Sequence, residues 1–434
     1  MKHINVGLLG YGVVGKGVAD IIEHNHSLIA QRANVDIKVK RALVKDLDEV
    51  EVKPPHIDFT TDPYLLLDDE DIHIIVEVMG GYEPARTFSV EAMKRGKHVV
   101  SANKACIASH YRELLAAANE NEVSYLFEGS VAGGIPIVRA MRESLTANNI
   151  QGVSAIINGT ANYILTQMTE EKISFYEALA QAQKLGYAEL DPTFDIEGID
   201  AAHKIFILTL LSWGVELDFE SIYTEGITNI SPLDIELARE LNNKIKLLAI
   251  AKELDGNIDI RVHPTMVGQD HPLYSVDGVF NAIFVEGDYL GPAMFYGQGA
   301  GRYPTGSAVV SDVIEIARDI SCGIGAKRIN PFGYKELRRA KIMPVEEIRS
   351  AFYMRFTVMD TAGVLRDISR ILSEHNISIA SAIQKERGQR EDDTVPFVII
   401  THEALGHDVL QSLRKIEKLD FCTEPPVMIR VEDR

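Results

Sequence analysis

The sequence predicts an α/β protein built around a doubly wound parallel sheet. Three observations predict it. Apolar, β-branched runs at Ile4–Leu9, Val35–Val44, Ile72–Val78 and His98–Val100 read as short buried strands. Helical stretches near Val14–Glu23, Glu83–Arg95 and Arg112–Glu122 alternate with them, which is the pattern of βαβ units. Gly10, Gly12 and Gly15 break the chain directly after the first run.

After about residue 130 the character changes. Gly133, Gly134 and Pro136 punctuate the chain, Val153–Ile157 reads as a strand, and helices follow at Phe175–Leu185 and Ile199–Leu211. Glycines become dense between Gly291 and Gly306, ahead of a helix at Ser307–Ile320 expected to return to the first domain. A basic, irregular connector between Pro331 and Pro344 is expected to act as a hinge. From Phe352 to Val431 the order is strand (Phe352–Val358), helix (Gly363–His375), strand (Ser378–Gln384), strand (Thr394–Thr401), helix (His407–Ile416), strand (Val427–Val431). This βαββαβ order is that of a ferredoxin-like fold. The expected organisation is a dinucleotide-binding domain over 1–130, completed by about 300–325. An α+β substrate-binding and catalytic domain spans 131–300, a connector 326–350 and a regulatory or assembly domain 351–434.

Charge and composition exclude several classes. The 434 residues carry 44 Lys and Arg against 63 Asp and Glu, a net charge of −19 that repels nucleic acid and anionic lipid. Cys106, Cys322 and Cys422 are isolated and odd in number, giving neither a disulfide framework nor zinc spacing. No apolar leader segment is visible at Met1–Leu9, and Ile205–Val215 is too short to span a bilayer. A soluble cytoplasmic protein is expected. An acidic chain that holds a phosphate-bearing ligand needs a confined cationic or amide-rich pocket.

Gly10-Tyr11-Gly12-Val13-Val14-Gly15 supplies such a pocket. Its glycines allow a tight turn, close approach of backbone to a pyrophosphate, and close packing of helix on strand; the helix N-terminus then faces the phosphates. The setting predicts a Rossmann-type dinucleotide site, with a ligand-free glycine turn as the bland alternative. The second strand, Val35–Val44, carries Lys38, Lys40 and Arg41 and no acid at its end. Arg41 is therefore expected to clamp a 2′-phosphate, making NADP(H) the first choice and NAD(H) the second, with a plain surface ion pair as the competing account of Arg41. Gly80 and Ser101, at the ends of later strands, are assigned to the same cofactor site.

The segment from Glu189 to Lys204 carries the candidate chemistry. Pro192 and Gly198 are expected to hold Glu189–Glu197 in a loop, and the helix that follows is apolar on nearly every side, hence buried. Asp200 and Lys204 stand at i,i+4 on that helix. A lysine at the edge of a low-dielectric core is a candidate general acid, and the carboxylate one turn away orients it. An ordinary helix ion pair is the competing account. Lys104 follows the His98–Val100 strand, at the end where open α/β sheets bind ligands. Cys106 has no base partner in sequence and reads as a small buried side chain. Glu128, among the carbonyls of a glycine-rich turn, offers a hard-oxygen set, although by itself the turn reads as an interdomain hinge. The histidines show no ligand spacing.

Ala182, Gly186-Tyr187-Ala188, Asp191-Pro192, Asp195-Ile196, Gly198, Asp200 and Lys204 together match a long spaced signature. On these residues the chain resembles the homoserine dehydrogenases over its whole length. The resemblance implies NAD(P)-dependent interconversion of L-aspartate 4-semialdehyde and L-homoserine, on the route to threonine, methionine and isoleucine. It implies that Lys204 donates a proton to the aldehyde oxygen and that Glu189 and Asp200 hold homoserine. Asp195 is implied as a further site carboxylate, and Lys104 as a group at the junction of cofactor and substrate. It further implies a sodium ion held by Glu128, Val131, Gly133 and Ile135, and contact of Gly301 with the cofactor. Asp360–Leu365 and Asn376-Ile377 resemble an ACT domain, a unit that binds an amino-acid effector, here threonine, or assembles edge to edge into a homodimer or homotetramer. A non-catalytic nucleotide and amino-acid sensor, or a deaminating amino-acid dehydrogenase, are the rival functions.

Overall fold

A computed structural model describes residues 1–48, 50–323, 331–384 and 394–432. The chain divides into two compact units, Met1–Gly159 with Asp200–Ser221 and Val279–Ala340, and Thr160–Ile199 with Ile222–Gly278 and Lys341–Arg434.

In the first unit six strands form a wholly parallel sheet: β1 (Lys2–Leu9), β2 (Val35–Leu43), β3 (Asp58–Thr60), β4 (Ile72–Glu77), β5 (His98–Ser101) and β6 (Tyr125–Leu126). Their order is β3-β2-β1-β4-β5-β6, so the winding reverses between β1 and β4. Ile4, Val6, Leu8, Ile37 and Ile74 are buried in one core with Val309, Val313 and Ile316 of the returning helix Arg302–Cys322. Each such side chain contributes about 1.5–3 kcal/mol of burial. Continuous apolar runs are what a sheet covered on both faces demands.

The same unit holds an antiparallel meander, in which Phe280–Gly287 pairs with Ile150–Ile156 on one side and Gly291–Gln298 on the other. Every residue of the helix Ile199–Trp213 from Asp200 onward is buried, as its all-round apolar pattern predicts. The segment expected to be a hinge is anchored where it is described: Phe332 is buried against Tyr111 and Phe127, and the Tyr334 hydroxyl donates to the Ser212 carbonyl at 2.6 Å. Residues 326–330 of that connector lie outside the described residues.

The second unit contains the long hairpin Asn243–Leu254 and Asn257–Gly268. The latter strand pairs in parallel with Val427–Glu432, which continues into the antiparallel strands Arg349–Met359, Thr394–Thr401 and Ile379–Gln384. With helices Val364–Glu374 and Gly406–Ile416 this is the expected βαββαβ order, plus a short extra strand at Ala404–Leu405. Asp234, wholly buried, accepts from the Arg355 guanidinium at 2.7 and 3.2 Å and from the Tyr353 hydroxyl at 3.1 Å.

Two local expectations shift. The expected loop Glu189–Glu197 contains one helical turn, Thr193–Ile196, because the Asp191 side chain accepts from the Thr193 amide at 3.1 Å ahead of it. The helix expected from Arg112 is preceded, across a kink at His110, by helical turns that begin at Lys104, where the Asn103 side chain caps them by accepting from the Cys106 amide. Among the described residues no helix is long and apolar enough to cross a membrane.

His98 on β5 is largely buried, its Nδ1 accepts from the Ser124 amide at 3.0 Å, and burial brings its pKa down to about 4. An unfolded chain protonates the same ring near 6.5, so between those values the unfolded state binds more protons and stability falls as pH drops. The contribution lost is about 3 kcal/mol. Urea unfolding at pH 7 and pH 4.5 should therefore show a smaller acid-induced loss in His98→Gln than in the wild type.

Candidate functional site

The glycine motif forms the rim of a cleft at the carboxyl ends of β1, β2 and β4, where the winding reverses. Gly10 takes φ +107°, where a Cβ would stand 2.9 Å from the Val78 carbonyl, and a Cβ on Gly15 would collide with the Gly10 carbonyl. The turn therefore passes tightly under β4 before the helix α1 (Val13–His24) begins. Gly12, its N-cap, brings no side chain, so the first-turn amides are not covered by one. The cavity measures about 630 Å³ and is lined by Gly10, Tyr11, Gly12, Lys16 and, from later loops, Lys45, Asp46, Met79 and Gly80. Val13 is exposed beside it and Val14 is partly buried.

Arg41 is not brought to this cavity. β2 runs on to Leu43, and Arg41 lies opposite Asp58 of β3, where its guanidinium binds the Leu65 carbonyl and Asp69 at 3.2 Å. The residues that do reach the rim after β2 are Val44, Lys45 and Asp46. The Arg41 guanidinium is thus engaged two residues before β2 brings the chain to the cleft.

At the end of the strand Ile150–Ile156 a cluster of charges is built on the buried helix. Asp200 and Lys204 are 7% and 8% exposed. The Lys204 Nζ donates to Asp200 Oδ2 at 2.7 Å and to the Ile157 carbonyl at 2.7 Å. Asn158 Nδ2 donates to the same Oδ2 at 2.8 Å, and Lys104 Nζ stands 3.2 Å from Oδ1. Burial alone would raise the Asp200 pKa, but the Lys204 and Lys104 ammoniums overcome it and hold the carboxylate well below its usual range. The i,i+4 pair is therefore no ordinary surface ion pair, since a second lysine from the β5 side completes it. Cys106, two residues after Lys104, is buried, and its thiol is pushed up to about 12 by that burial, which leaves it without nucleophilic character.

Glu189 and Asp195 belong to the second unit. Glu189 is exposed, its carbonyl accepting from Gln183 Nε2 at 3.1 Å, and Asp195 lies on the short turn Thr193–Ile196. Glu128 of the first unit is buried, and its two carboxylate oxygens accept from the amides of Val138 at 2.9 Å and Arg139 at 2.7 Å. Burial pushes its pKa up while these amides pull it down. Val131 and Ile135 are buried beside it, and Gly133 at φ +44° presses against the Gly299 carbonyl. Every donor in this turn is oxygen, which suits a hard cation. Among the described residues no group of three His, Cys, Asp or Glu side chains converges on a metal position. Gly301, at φ +129°, opens the helix Arg302–Cys322 but does not line the cavity.

Lys16, Lys45, Asn158 and Glu77 are the site residues that pattern reading passed over. Asn158 follows a buried strand and precedes a glycine, and Glu77 is an acid inside the run Ile72–Val78; both are polar groups at strand ends. Lys16 and Lys45 carry no such signal.

Comparison with known proteins places these features. The family description "Homoserine dehydrogenase, NAD binding domain" matches residues 10–128, "Homoserine dehydrogenase" matches 136–314 and "ACT domain" matches 352–418. The chain is 42% identical to a homoserine dehydrogenase of Helicobacter pylori, with all of both chains covered. A crystal structure of a homoserine dehydrogenase from Thiobacillus denitrificans is 44% identical, covers 100% of this chain and 99% of its own, and superposes with a TM-score of 0.95. A hyperthermophilic archaeal homoserine dehydrogenase in complex with NADPH is 30% identical over 72% of this chain and 97% of its own, with a TM-score of 0.62. Matched by family over most of its length and by relatives over all of it, the chain belongs to the homoserine dehydrogenase family.

Proposed function

We propose that this chain catalyses the reversible NAD(P)H-dependent reduction of L-aspartate 4-semialdehyde to L-homoserine, on the route to threonine, methionine and isoleucine. The observation that carries the chemistry is Asp200 held between Lys204 and Lys104. Lys204 commits two of its three N–H bonds, to Asp200 and to the Ile157 carbonyl, which leaves the third for an aldehyde oxygen. As negative charge grows on that oxygen, Lys204 delivers a proton from Nζ, and Lys104 lowers the energy of the charge. When bound, the nicotinamide supplies the hydride to the carbonyl carbon. Glu189, Asp195 and Asp200 are assigned to holding the amino acid.

For the cofactor, the Gly10–Gly15 turn, Gly80, Ser101 and Gly301 are assigned to binding, with NADP(H) preferred and NAD(H) possible. Support for NADP(H) comes from the archaeal relative named above and from Lys45 at the rim of the cleft. A sodium ion is assigned to Glu128 with the carbonyls of Val131, Gly133 and Ile135. The ACT domain is assigned an amino-acid effector, threonine, or assembly into a homodimer or homotetramer, in the cytoplasm.

In an assay of NADPH oxidation with L-aspartate 4-semialdehyde, Lys204→Ala should lower kcat by about 100- to 10,000-fold while NADPH affinity, read by fluorescence, stays near normal. A variant with most of its turnover intact would remove Lys204 from the mechanism. The same variant leaves Asp200 buried with one cation fewer, so its unfolding free energy should drop by about 3 kcal/mol in urea titration.

Cofactor choice is tested by the ratio of kcat/KM for NADPH and NADH. Lys45→Ala should reduce that ratio about tenfold, and Arg41→Ala, whose guanidinium is held at Asp69, should leave it nearly unchanged. The opposite result would return the 2′-phosphate to Arg41.

A further inference from the structure

Glu77 ends β4 with no exposed surface at all. A buried carboxylate with no ion pair among the described residues calls for a reason. Its Oε1 accepts from the Met79 amide at 2.9 Å and from Asn103 Nδ2 at 3.3 Å. Its Oε2 accepts from the Ser101 hydroxyl at 2.7 Å. The Ser101 oxygen in turn accepts from the Asn103 amide at 3.1 Å, which commits the hydroxyl proton to Glu77. Asn103 closes the group from the other side: its Nδ2 also donates to the Gly81 carbonyl at 2.7 Å, and its Oδ1 caps the helix that Lys104 begins.

Two strand ends meet at this one acid. After β4 comes the turn Met79–Gly81, which lines the cofactor cleft; after β5 comes Ser101–Asn103, which leads straight into Lys104. Backbone pairing sets Glu77 opposite Ser101 and ends with the Ala102 amide donating to the Glu77 carbonyl at 3.2 Å; beyond that bond the two turns are joined by the side chains of Glu77, Ser101 and Asn103. The bonds that reach the carboxylate, from the Met79 and Gly80 amides, the Ser101 hydroxyl and Asn103 Nδ2, all come from donors, an arrangement that only an acceptor-only group satisfies in full.

We propose that Glu77 is a positioning residue whose buried carboxylate ties the turn carrying Gly80 to the turn carrying Lys104, and so fixes the spacing between the cofactor cleft and that lysine. The proposal rests on the role given to Lys104 above. Glu77 touches neither substrate nor cofactor; it acts through the two turns. A glutamine in its place keeps the shape but turns an N–H toward one of the donors, breaking one link without emptying the site.

A double-mutant cycle tests this. Glu77→Gln should lower kcat at least tenfold in the wild-type background and less than twofold in a Lys104→Ala background, because a lysine that is absent cannot be misplaced. NADPH affinity, measured by fluorescence titration without substrate, should weaken several-fold in both backgrounds, since the Gly80 turn is loosened in each. Should Glu77→Gln fail to fold, Ser101→Ala removes one donor only and should show the same dependence on Lys104 with a smaller effect. Equal kcat losses in the two backgrounds would overturn the proposal while leaving Lys104 in the mechanism. Full activity of Lys104→Ala alone would overturn the role of Lys104 and, with it, any route from Glu77 through that lysine.

Discussion

One buried carboxylate organises the chemistry of this chain. Asp200 sits in a low-dielectric position between two lysines, and their ammoniums hold its buried carboxylate in the charged form. The arrangement constrains everything around it. The helix carrying Asp200 and Lys204 must be apolar on its other faces to remain buried, the strand end at Ile157 and Asn158 must present a carbonyl and an amide, and the helix carrying Lys104 must start where it does. Each requirement appears as an otherwise unusual residue in an ordinary element.

The parallel sheet supplies the geometry by which such requirements are met. Its carboxyl ends converge at the reversal between β1 and β4, and the groups that matter stand one to three residues beyond a strand end: Gly10 after β1, Lys45 after β2, Gly80 after β4, Lys104 after β5. Backbone pairing fixes the strands but not these first residues beyond them. Their positions depend on side-chain to backbone bonds, and polar side chains in an apolar sheet are therefore concentrated at its rim.

Much of this was legible in the sequence. The strands β1, β2, β4 and β5 were visible because buried parallel strands are continuous apolar runs, and the C-terminal βαββαβ order because its helices are strongly amphipathic. The Asp200–Lys204 spacing was visible because i,i+4 on a helix is a local property. What was not legible depended on partners distant in sequence. The partners of Arg41 could not be named because nothing local announces Asp58 and Asp69, and Asn158 drew no notice because Asp200 is forty-two positions away. The helix start at Lys104 was missed because its cap, Asn103, resembles loop chemistry until the helix is seen.

The parallel pairing of Asn257–Gly268 with Val427–Glu432 has a consequence for how this protein can change over time. The last strand of the chain is spliced into the sheet of a region encoded some 160 residues earlier, so the C-terminal domain is not an appendage on a tether. Deleting it would strip the partner from Thr265, Met266 and Val267, all buried, leaving that stretch of the strand open to pairing with other chains. A lineage that discards this domain must also rewrite that strand, which makes loss a coordinated event and retention the easier course.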